Sequence, residues 1–253
     1  MPQRRSLTPE VRGTLSVHVI SDAARLGVDA FITDRFGGVS EGPYESLNLG
    51  DHVGDDLDRV RENRHRVAVA AGVDELVIVR QVHGRDVLDA SSPGAVCEGD
   101  GLFTSSDELA LAILVADCVP VLLVDEETKS FAVVHAGWRG LHAGILSRAV
   151  ARFAHPSSVF AFLGPAISRE RYQVGPEVAM NFRDVPDALL NDAGDRSLLD
   201  LRLVGAHQLR QLGLRDANIL SSDQSTDGGG LFFSDRAARP CGRFALVARR
   251  VVA

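Results

Sequence analysis

Cysteine is scarce in this chain, whose 253 residues include three: Cys97, Cys118 and Cys241. An odd number of thiols cannot all pair, and thiols persist in a reducing compartment. The longest apolar run, residues 109–124, contains Asp117 and is shorter than the roughly 18 residues of a membrane-spanning segment. No apolar region follows Arg4 and Arg5 to form a signal peptide. We therefore expect a cytoplasmic protein without a membrane partner.

An excess of positive charge is also absent. Lys and Arg number 27 against 34 Asp and Glu, so the net charge of −7 gives no overall attraction to nucleic acid. The hydrophobic share of 45% is typical of a globular enzyme. No linker, low-complexity segment or internal repeat divides the chain. We expect a single domain over residues 1–253 and no nucleic-acid partner.

The order of apolar runs and turns predicts an α+β fold with mixed sheets. Helical spacing predicts helices over residues 57–72, 141–153, 176–182 and 201–212. Apolar runs predict strands over 15–20, 28–33, 121–124, 131–134, 159–163, 231–233 and 244–252, and a strand pair over 76–88 that turns at His83 and Gly84. Residues 35–52 are rich in glycine and turn-forming residues, which predicts a long functional loop.

Three side chains that ligate metals lie beside the ends of predicted strands. Cys118 separates two apolar runs, His135 ends the second of them, and His83 follows another. Two imidazoles and a thiolate are the minimum protein ligands of a catalytic zinc ion, which keeps a fourth position open. The same residues also suit a nucleophilic Cys118 with His135 as its base. The residues alone leave both interpretations open.

Neighbouring residues are candidates for binding and catalysis. Asp117 lies within an apolar run, where an unpaired carboxylate is costly and therefore indicates a site. Arg139 and Gly140 belong to a glycine-rich turn that enters a predicted helix, and free N–H groups at such a turn could hold an anion. Trp138 could stack on a ligand, and His52, on the glycine-rich loop, is a fourth histidine candidate.

Several short motifs, in order, carry a resemblance to a known family. They are RFGGVS (35–40), SLNLG (46–50), QVHG (81–84), DGLFT (100–104), ADCVP (116–120), HAGWRG (135–140), LGPAI (163–167) and LFFS (231–234). Together they resemble the YfiH/laccase-domain family, also called the polyphenol oxidase or peptidoglycan editing factor family, over roughly residues 28–250. Where members often have a Cys-Thr pair, this chain has Ser225 and Thr226, so any role of that thiol is absent.

The resemblance implies a layered α/β sandwich with mixed sheets flanked by helices. It also implies zinc ligation by His83, Cys118 and His135. The implied activity is phosphorolysis of purine nucleosides, namely adenosine, inosine and methylthioadenosine, together with adenosine deamination. Nucleoside and phosphate are then the small-molecule partners.

Each implied reaction gives further residues a candidate role. A zinc ion lowers the pKa of bound water towards about 7, which suits attack on the purine C6. Asp117 or Asp100 would then carry protons. Arg139, Arg35 and the helix start after Gly140 would bind phosphate for phosphorolysis.

Three alternatives stay open. The first is a cysteine hydrolase of cell-wall peptides with Cys118 as nucleophile, which needs no metal. The second is copper at the same residues, but a blue-copper site usually has an axial Met, and a multicopper set needs roughly ten histidines. The chain has eight histidines and two methionines, Met1 and Met180. The third is a structural metal with His52 as a fourth ligand.

Overall fold

Two mixed β-sheets stacked face to face form the centre of the structure, a computed structural model that describes residues 2–90, 92, 97–227 and 230–251. In chain order the strands are β1 (Gln3–Arg5), β2 (Thr8–Arg12), β3 (Leu15–Val19), β4 (Val28–Thr33), β5 (Val77–Ile78), β6 (Val87–Asp89), β7 (Gly101–Thr104), β8 (Ala110–Val115), β9 (Val119–Asp125), β10 (Phe131–Ala136), β11 (Val159–Leu163), β12 (Gln173–Val174), β13 (Leu189–Asn191), β14 (Ser197–Leu199), β15 (Ile219–Ser222) and β16 (Phe244–Arg250). The helices are α1 (Ser21–Ala24), α2 (Leu57–Ala71), α3 (Trp138–Ala143), α4 (Ile145–Val150), α5 (Pro176–Ala179) and α6 (Leu201–Gln211).

The two large sheets each combine parallel and antiparallel pairs. One has seven strands in the order β1-β15-β11-β9-β10-β7-β6, and the other has six in the order β2-β3-β4-β16-β8-β5. The pairs β1–β15, β11–β15 and β6–β7 are parallel in the first sheet, as is β5–β8 in the second. A third sheet of three antiparallel strands has the order β12-β14-β13.

Apolar side chains on the sheets divide into three cores, which define the layers. The core between the two large sheets includes Ile32, Leu122 and Phe244. The other face of the seven-stranded sheet packs on α3, α4 and α6, and the other face of the six-stranded sheet packs on α2. The structure is therefore a layered α/β sandwich with mixed sheets flanked by helices, which confirms the predicted fold class.

Local sequence explains the elements that were predicted correctly. The side chain of Asp56 accepts hydrogen bonds from two N–H groups in the first turn of α2, and Gly72 ends the helix with a φ of 71°. Strands β9 and β10 form an antiparallel hairpin in which Val124 lies opposite Phe131. Both faces of the seven-stranded sheet are covered, so β9 is buried along its whole length.

Other predicted elements were wrong. The expected strand pair over 76–88 does not form, because β5 and β6 belong to different sheets. The expected helix over 141–153 is two helices, α3 and α4, which are separated by Gly144 with a φ of 88°. Residues 231–233 are not a strand, although Phe232 and Phe233 fill the core between the sheets. The segment 176–182 is the short α5 followed by a 3-10 turn. Strand β16 ends at Arg250, and Val252 of the predicted strand lies outside the described residues.

The chain crosses between the two large sheets at two places, and these two connections lie close together. Residues 116–118 connect β8 in one sheet to β9 in the other, and residues 79–86 connect β5 to β6 in the same direction. Cys118 and His83 lie on these crossings, close to the end of β10 where His135 lies. Within the described ranges, no helix has the length and apolar character needed to cross a membrane.

Candidate functional site

The three candidate metal ligands converge at one end of the sandwich. One donor atom from each of His83, Cys118 and His135 lies within 4.8 Å of the others. The imidazole rings meet edge to face with centroids 4.7 Å apart. Gly137 allows this close approach, because a Cβ atom there would be 2.9 Å from the Cys118 Sγ. The structure therefore brings together three candidate residues that are far apart in the chain.

Asp100, which is fully buried, holds two of the three ligands in place. Its Oδ1 accepts hydrogen bonds from His135 Nδ1 at 2.8 Å and from the backbone N–H of His83 at 2.9 Å. Its Oδ2 accepts the N–H groups of Gly84 at 2.6 Å and Val82 at 3.3 Å. These bonds stabilise His83 in the left-handed region, with a φ of 59°.

The charges of the site follow from these contacts. Burial acts to raise the pKa of the Asp100 carboxyl, but the hydrogen bond and charge of His135 and the backbone N–H groups lower it overall. An ionised carboxylate only accepts hydrogen bonds, so the proton between Asp100 and His135 lies on Nδ1. When the ring is neutral, its Nε2 atom can therefore ligate a metal.

The Cys118 thiol and the His135 imidazole form a coupled pair. Burial acts to raise the thiol pKa, but attraction and hydrogen bonding from His135 and then His83 lower it to about 6. Burial acts to lower the His135 pKa, but Cys118 and Asp100 raise it to about 9. In the protein without metal, the geometry therefore favours a thiolate beside an imidazolium.

This donor set fits zinc. A thiolate and two imidazole nitrogens are zinc ligands, and three protein ligands leave one position for a substrate or water. A carboxylate behind a ligating imidazole fixes the ring and raises its basicity, and Asp100 stands in that relation to His135. His52 is not a member of the ligand group within the described residues, which disfavours a fourth protein ligand.

A cavity of about 570 Å³ opens over the three ligands. Among the predicted residues, its walls include Asp117, Trp138, Arg139 and the exposed His52. The Arg139 guanidinium lies over the Trp138 ring, 4.4 Å from its centroid. The structure thus brings a cationic and an aromatic side chain to the metal ligands, as their positions in the turn indicated.

Asp117 lies in the cavity wall, but both of its carboxylate oxygens are occupied. Oδ1 accepts from the Thr226 hydroxyl at 2.5 Å, and Oδ2 accepts the backbone N–H of Arg236 at 2.7 Å. Its φ of 87° is a left-handed conformation that side chains other than glycine rarely adopt. The carboxylate therefore anchors two distant loops beside Cys118. Asp100 is likewise fully engaged, which suits an orienting group better than a proton carrier.

Besides the buried Asp100, two predicted residues lie outside the cavity wall. Arg35 lines a separate cavity, where its guanidinium stacks on Phe233 and its Nε donates to the Glu45 carbonyl. Gly140 is buried in α3, where a Cβ atom would be 3.0 Å from the Gly84 carbonyl oxygen. Gly140 therefore permits α3 to pack on the loop of His83, and Arg35 is too well occupied elsewhere to serve this cavity.

Sequence reasoning missed much of the cavity wall. Its missed polar residues are Gln81, Tyr172, Asp235, Arg236, Arg239 and Arg243. The Gln81 amide exchanges two hydrogen bonds with the backbone of Leu114, at 2.7 and 2.8 Å, and so ties the His83 loop to β8. The density of arginines in residues 235–243 was the available signal for an anion-binding wall.

Known proteins resemble this chain over most of its length. The model of the family described as multi-copper polyphenol oxidoreductase laccase matches residues 29–250. A Shigella flexneri protein named purine nucleoside phosphorylase YfiH is 40% identical over 227 residues, which are 87% of this chain and 92% of that protein. The crystal structure of YlmD from Geobacillus stearothermophilus has a TM-score of 0.88 at 31% identity and covers 97% of this chain and 99% of its own. That of the Bacillus licheniformis hypothetical protein YfiH has a TM-score of 0.89 at 29% identity, with coverages of 96% and 98%.

Proposed function

Because this chain belongs to the multi-copper polyphenol oxidoreductase laccase family, in which relatives are named purine nucleoside phosphorylases, we propose that it cleaves purine nucleosides with phosphate. The observation that carries the proposal is the joint presence of the His83, Cys118 and His135 donors and of Arg139 in one cavity. Adenosine, inosine and methylthioadenosine are the proposed substrates, and adenosine deamination is the proposed second activity.

The proposed metal is zinc, held by His83, Cys118 and His135. When bound, zinc supplies Lewis acidity next to the reacting atoms. Copper is the alternative, because imidazole and thiolate also ligate it, but no methionine lies among the residues of the cavity wall. Among the described residues, Met180 is exposed elsewhere, and Met1 lies outside them.

The side chains of the cavity have separable tasks in phosphorolysis. A phosphate oxygen forms a bond to C1′ of the ribose while the bond from C1′ to the purine nitrogen breaks, and the purine leaves with the electron pair and takes up a proton. Arg139 holds phosphate through charge-assisted hydrogen bonds. Trp138, whose ring supports the guanidinium, fixes the position of that charge. Asp100 keeps the proton of His135 on Nδ1 and orients the ring.

Deamination needs a group that carries protons to the leaving ammonia. Asp117 is the proposed carrier, because it lines the cavity next to Cys118, whereas Asp100 has no exposed surface. His52, at the exposed rim, is proposed to contact the nucleoside.

Chromatography of each nucleoside, with and without phosphate, tests the proposal. Free purine should appear only with phosphate, and inosine should form from adenosine without it. Both products should disappear in Cys118→Ala and persist in Cys97→Ala, which removes an exposed thiol away from the cavity. Nucleosides that stay intact with zinc-loaded protein would refute the proposal. Elemental analysis tests the metal, and less than about a tenth of an equivalent of zinc would count against it.

One further candidate function is a cysteine hydrolase acting on cell-wall peptides. The arrangement of Cys118, His135 and Asp100 favours it, because the thiol contacts the imidazole and the imidazole is oriented by the carboxylate. Such an enzyme would act without metal. Release of peptide fragments by metal-free protein, with no cleavage of nucleosides, would favour the hydrolase over the phosphorylase.

A further inference from the structure

Two arginines in the cavity wall each rest on an aromatic ring of the same wall. The Arg139 guanidinium lies 4.4 Å from the Trp138 centroid, and that of Arg236 lies 5.2 Å from the Tyr172 centroid. All four residues line the cavity over the metal ligands. Among the described residues, no carboxylate lies within ion-pairing distance of either guanidinium. The only acceptor of the Arg236 guanidinium there is the Gln173 carbonyl, at 3.1 Å.

The two remaining arginines of the wall share one carboxylate as their ion-pair partner. Arg239 Nε donates to the Asp235 carboxylate at 2.7 Å, and Arg243 Nη2 lies 3.3 Å from the other oxygen of the same carboxylate. Arg243 also donates through Nη1 to the backbone carbonyls of Cys241 and Gly242. Among the described residues, Arg139 and Arg236 are therefore the arginines of the wall without an ion-pair partner.

The second pair is positioned as firmly as the first. The backbone N–H of Arg236 donates to Asp117, which is adjacent to the ligand Cys118. The Tyr172 ring packs against the core beneath the seven-stranded sheet, and its backbone bonds to Arg169 and Leu199. Burial and Cys118 raise the pKa of Tyr172, whereas Arg236 and Arg139 both act to lower it. Both guanidiniums lie on the wall of the same cavity.

We propose that Arg139 and Arg236 form a two-sided clamp for inorganic phosphate, with Trp138 and Tyr172 as the rings that hold the two guanidiniums apart and aimed at it. The inference rests on the proposed function for the identity of the anion, and it assigns Arg236 and Tyr172, which sequence reasoning did not find. A guanidinium presents paired N–H donors that match phosphate oxygens, and two of them supply the charge that balances a dianion. The same phosphate chemistry is present in a sugar 1-phosphate product.

Equilibrium binding of inorganic phosphate tests the clamp without any nucleoside. Trp138 is the only tryptophan of the chain and lies under Arg139, so its fluorescence reports phosphate at this site. Calorimetry on the same samples gives an independent dissociation constant. The variants are Arg139→Gln, Arg236→Gln and Arg236→Lys, with Arg148→Gln, on the exposed surface of α4, as the matched control. Thermal melting checks that each variant is folded.

We expect saturable phosphate binding that weakens at least about tenfold in each Gln variant, since each variant removes charge-assisted hydrogen bonds to the anion. Arg236→Lys keeps the charge and should recover part of the affinity, and Arg148→Gln should match the wild type. Ribose 1-phosphate should compete with phosphate in the wild type. Tyr172→Leu should weaken phosphate less than Arg236→Gln, because the guanidinium remains.

Phosphate affinity within threefold of the wild type in folded Arg236→Gln would overturn the clamp, as would failure of the wild type to bind phosphate. These outcomes are separate from the fate of the proposed function. If phosphate binds through both arginines but no nucleoside is cleaved, the clamp stands and the phosphorylase proposal fails. If nucleosides are cleaved and the KM for phosphate is unchanged in Arg236→Gln, the clamp fails alone.

Discussion

The cavity has a metal half, with His83, Cys118 and His135, and an anion half, with Arg139 and Arg236. A different buried aspartate organises each half. Asp100 faces the metal ligands, where it accepts from His135 Nδ1 and from three backbone N–H groups of the His83 loop. Asp117 faces the arginines, where it accepts from Thr226 and from the backbone of Arg236. In each aspartate, both carboxylate oxygens accept hydrogen bonds from the fold. The comparison indicates that buried acids in this site assemble the walls, one around the candidate metal ligands and one beside Arg236.

The halves also differ in exposure. His135 is 4% exposed and Asp100 is fully buried, whereas Arg139 and Arg236 are exposed to solvent. Electrostatic interactions weaken where water and salt reach the charges. Because His83 is exposed and Cys118 is partly exposed, the metal half should respond weakly to ionic strength, and the anion half should respond more strongly.

Asp100→Asn should produce the largest difference between its effects on zinc affinity and on phosphate affinity. The amide removes the charge behind His135 and places N–H groups against backbone N–H groups, so zinc affinity should fall by about 10–100-fold. Phosphate affinity should stay within about twofold of the wild type, since a change below about 0.4 kcal/mol is expected for a site without shared partners. Competition with a chromogenic chelator measures the zinc affinity.

Asp125→Asn is the matched control for that variant. Asp125 is buried and accepts from Glu127, Thr128 and Ser158 at the turn between β9 and β10, far from the ligand group in the fold. It should lower the melting temperature but leave zinc affinity unchanged. Equal loss of zinc in both variants would mean that Asp100 acts only through general stability.

Asp117→Asn should weaken phosphate about tenfold and leave zinc bound. The neutral amide loses charge-assisted acceptance from Arg236 and Thr226, so the loop that carries Arg236 is no longer fixed. Thr226→Val should have a smaller effect, because it removes one hydroxyl donor and keeps the bond to Arg236. Phosphate calorimetry and zinc analysis of the same samples measure both quantities, and a loss of zinc in Asp117→Asn would erase the division between the halves.

Alkylation of the metal-free protein should depend on pH through Cys118. Its pKa is lowered to about 6 mainly by His135 against the opposing effect of burial, so the thiolate predominates at pH 7 and is protonated as the pH falls. The rate of modification by iodoacetamide should drop about tenfold between about pH 7 and pH 5. Mass spectrometry of the Cys118 peptide follows the reaction, and added zinc should suppress it. A rate that is flat over this range would contradict the coupled thiolate and imidazolium.

Salt should have the smallest effect, and it should lower phosphate affinity more than zinc affinity. Raising sodium chloride from about 50 to 200 mM shortens the Debye length from about 14 to 7 Å, so phosphate affinity should fall about threefold. Zinc affinity should change less than phosphate affinity, because His135 and Asp100 are buried, whereas His83 is exposed and Cys118 is partly exposed. Calorimetry at the two concentrations is the measurement. Equal sensitivity of both ligands would contradict the difference in exposure.

Strands with continuous apolar runs could be predicted from the sequence because burial on both faces leaves a local signal, as in β9 and β10. The exposed edge strand β2 and the two-residue strand β12 could not, since pairing defines them and their residues carry no pattern. The separation of β5 from β6 depends on Gln81 bonding to Leu114, a contact 33 positions distant in the chain.

The ligand trio could be predicted because strand ends at one edge of a sandwich come together. The arginine wall could not, because the bond from Arg236 to Asp117 spans 119 positions and no local pattern specifies it. The sequence also predicts Arg35 as a donor to phosphate, but its guanidinium stacks on Phe233 in another cavity.

The most direct test of the central claim is a time course of purine release from inosine by zinc-loaded protein, with and without phosphate, on a preparation of known zinc content. The account predicts that hypoxanthine accumulates only when phosphate is present and that removal of zinc stops the release. Protein that holds a full equivalent of zinc and binds phosphate, yet releases no purine, would contradict the claim that metal and phosphate act together in this cavity.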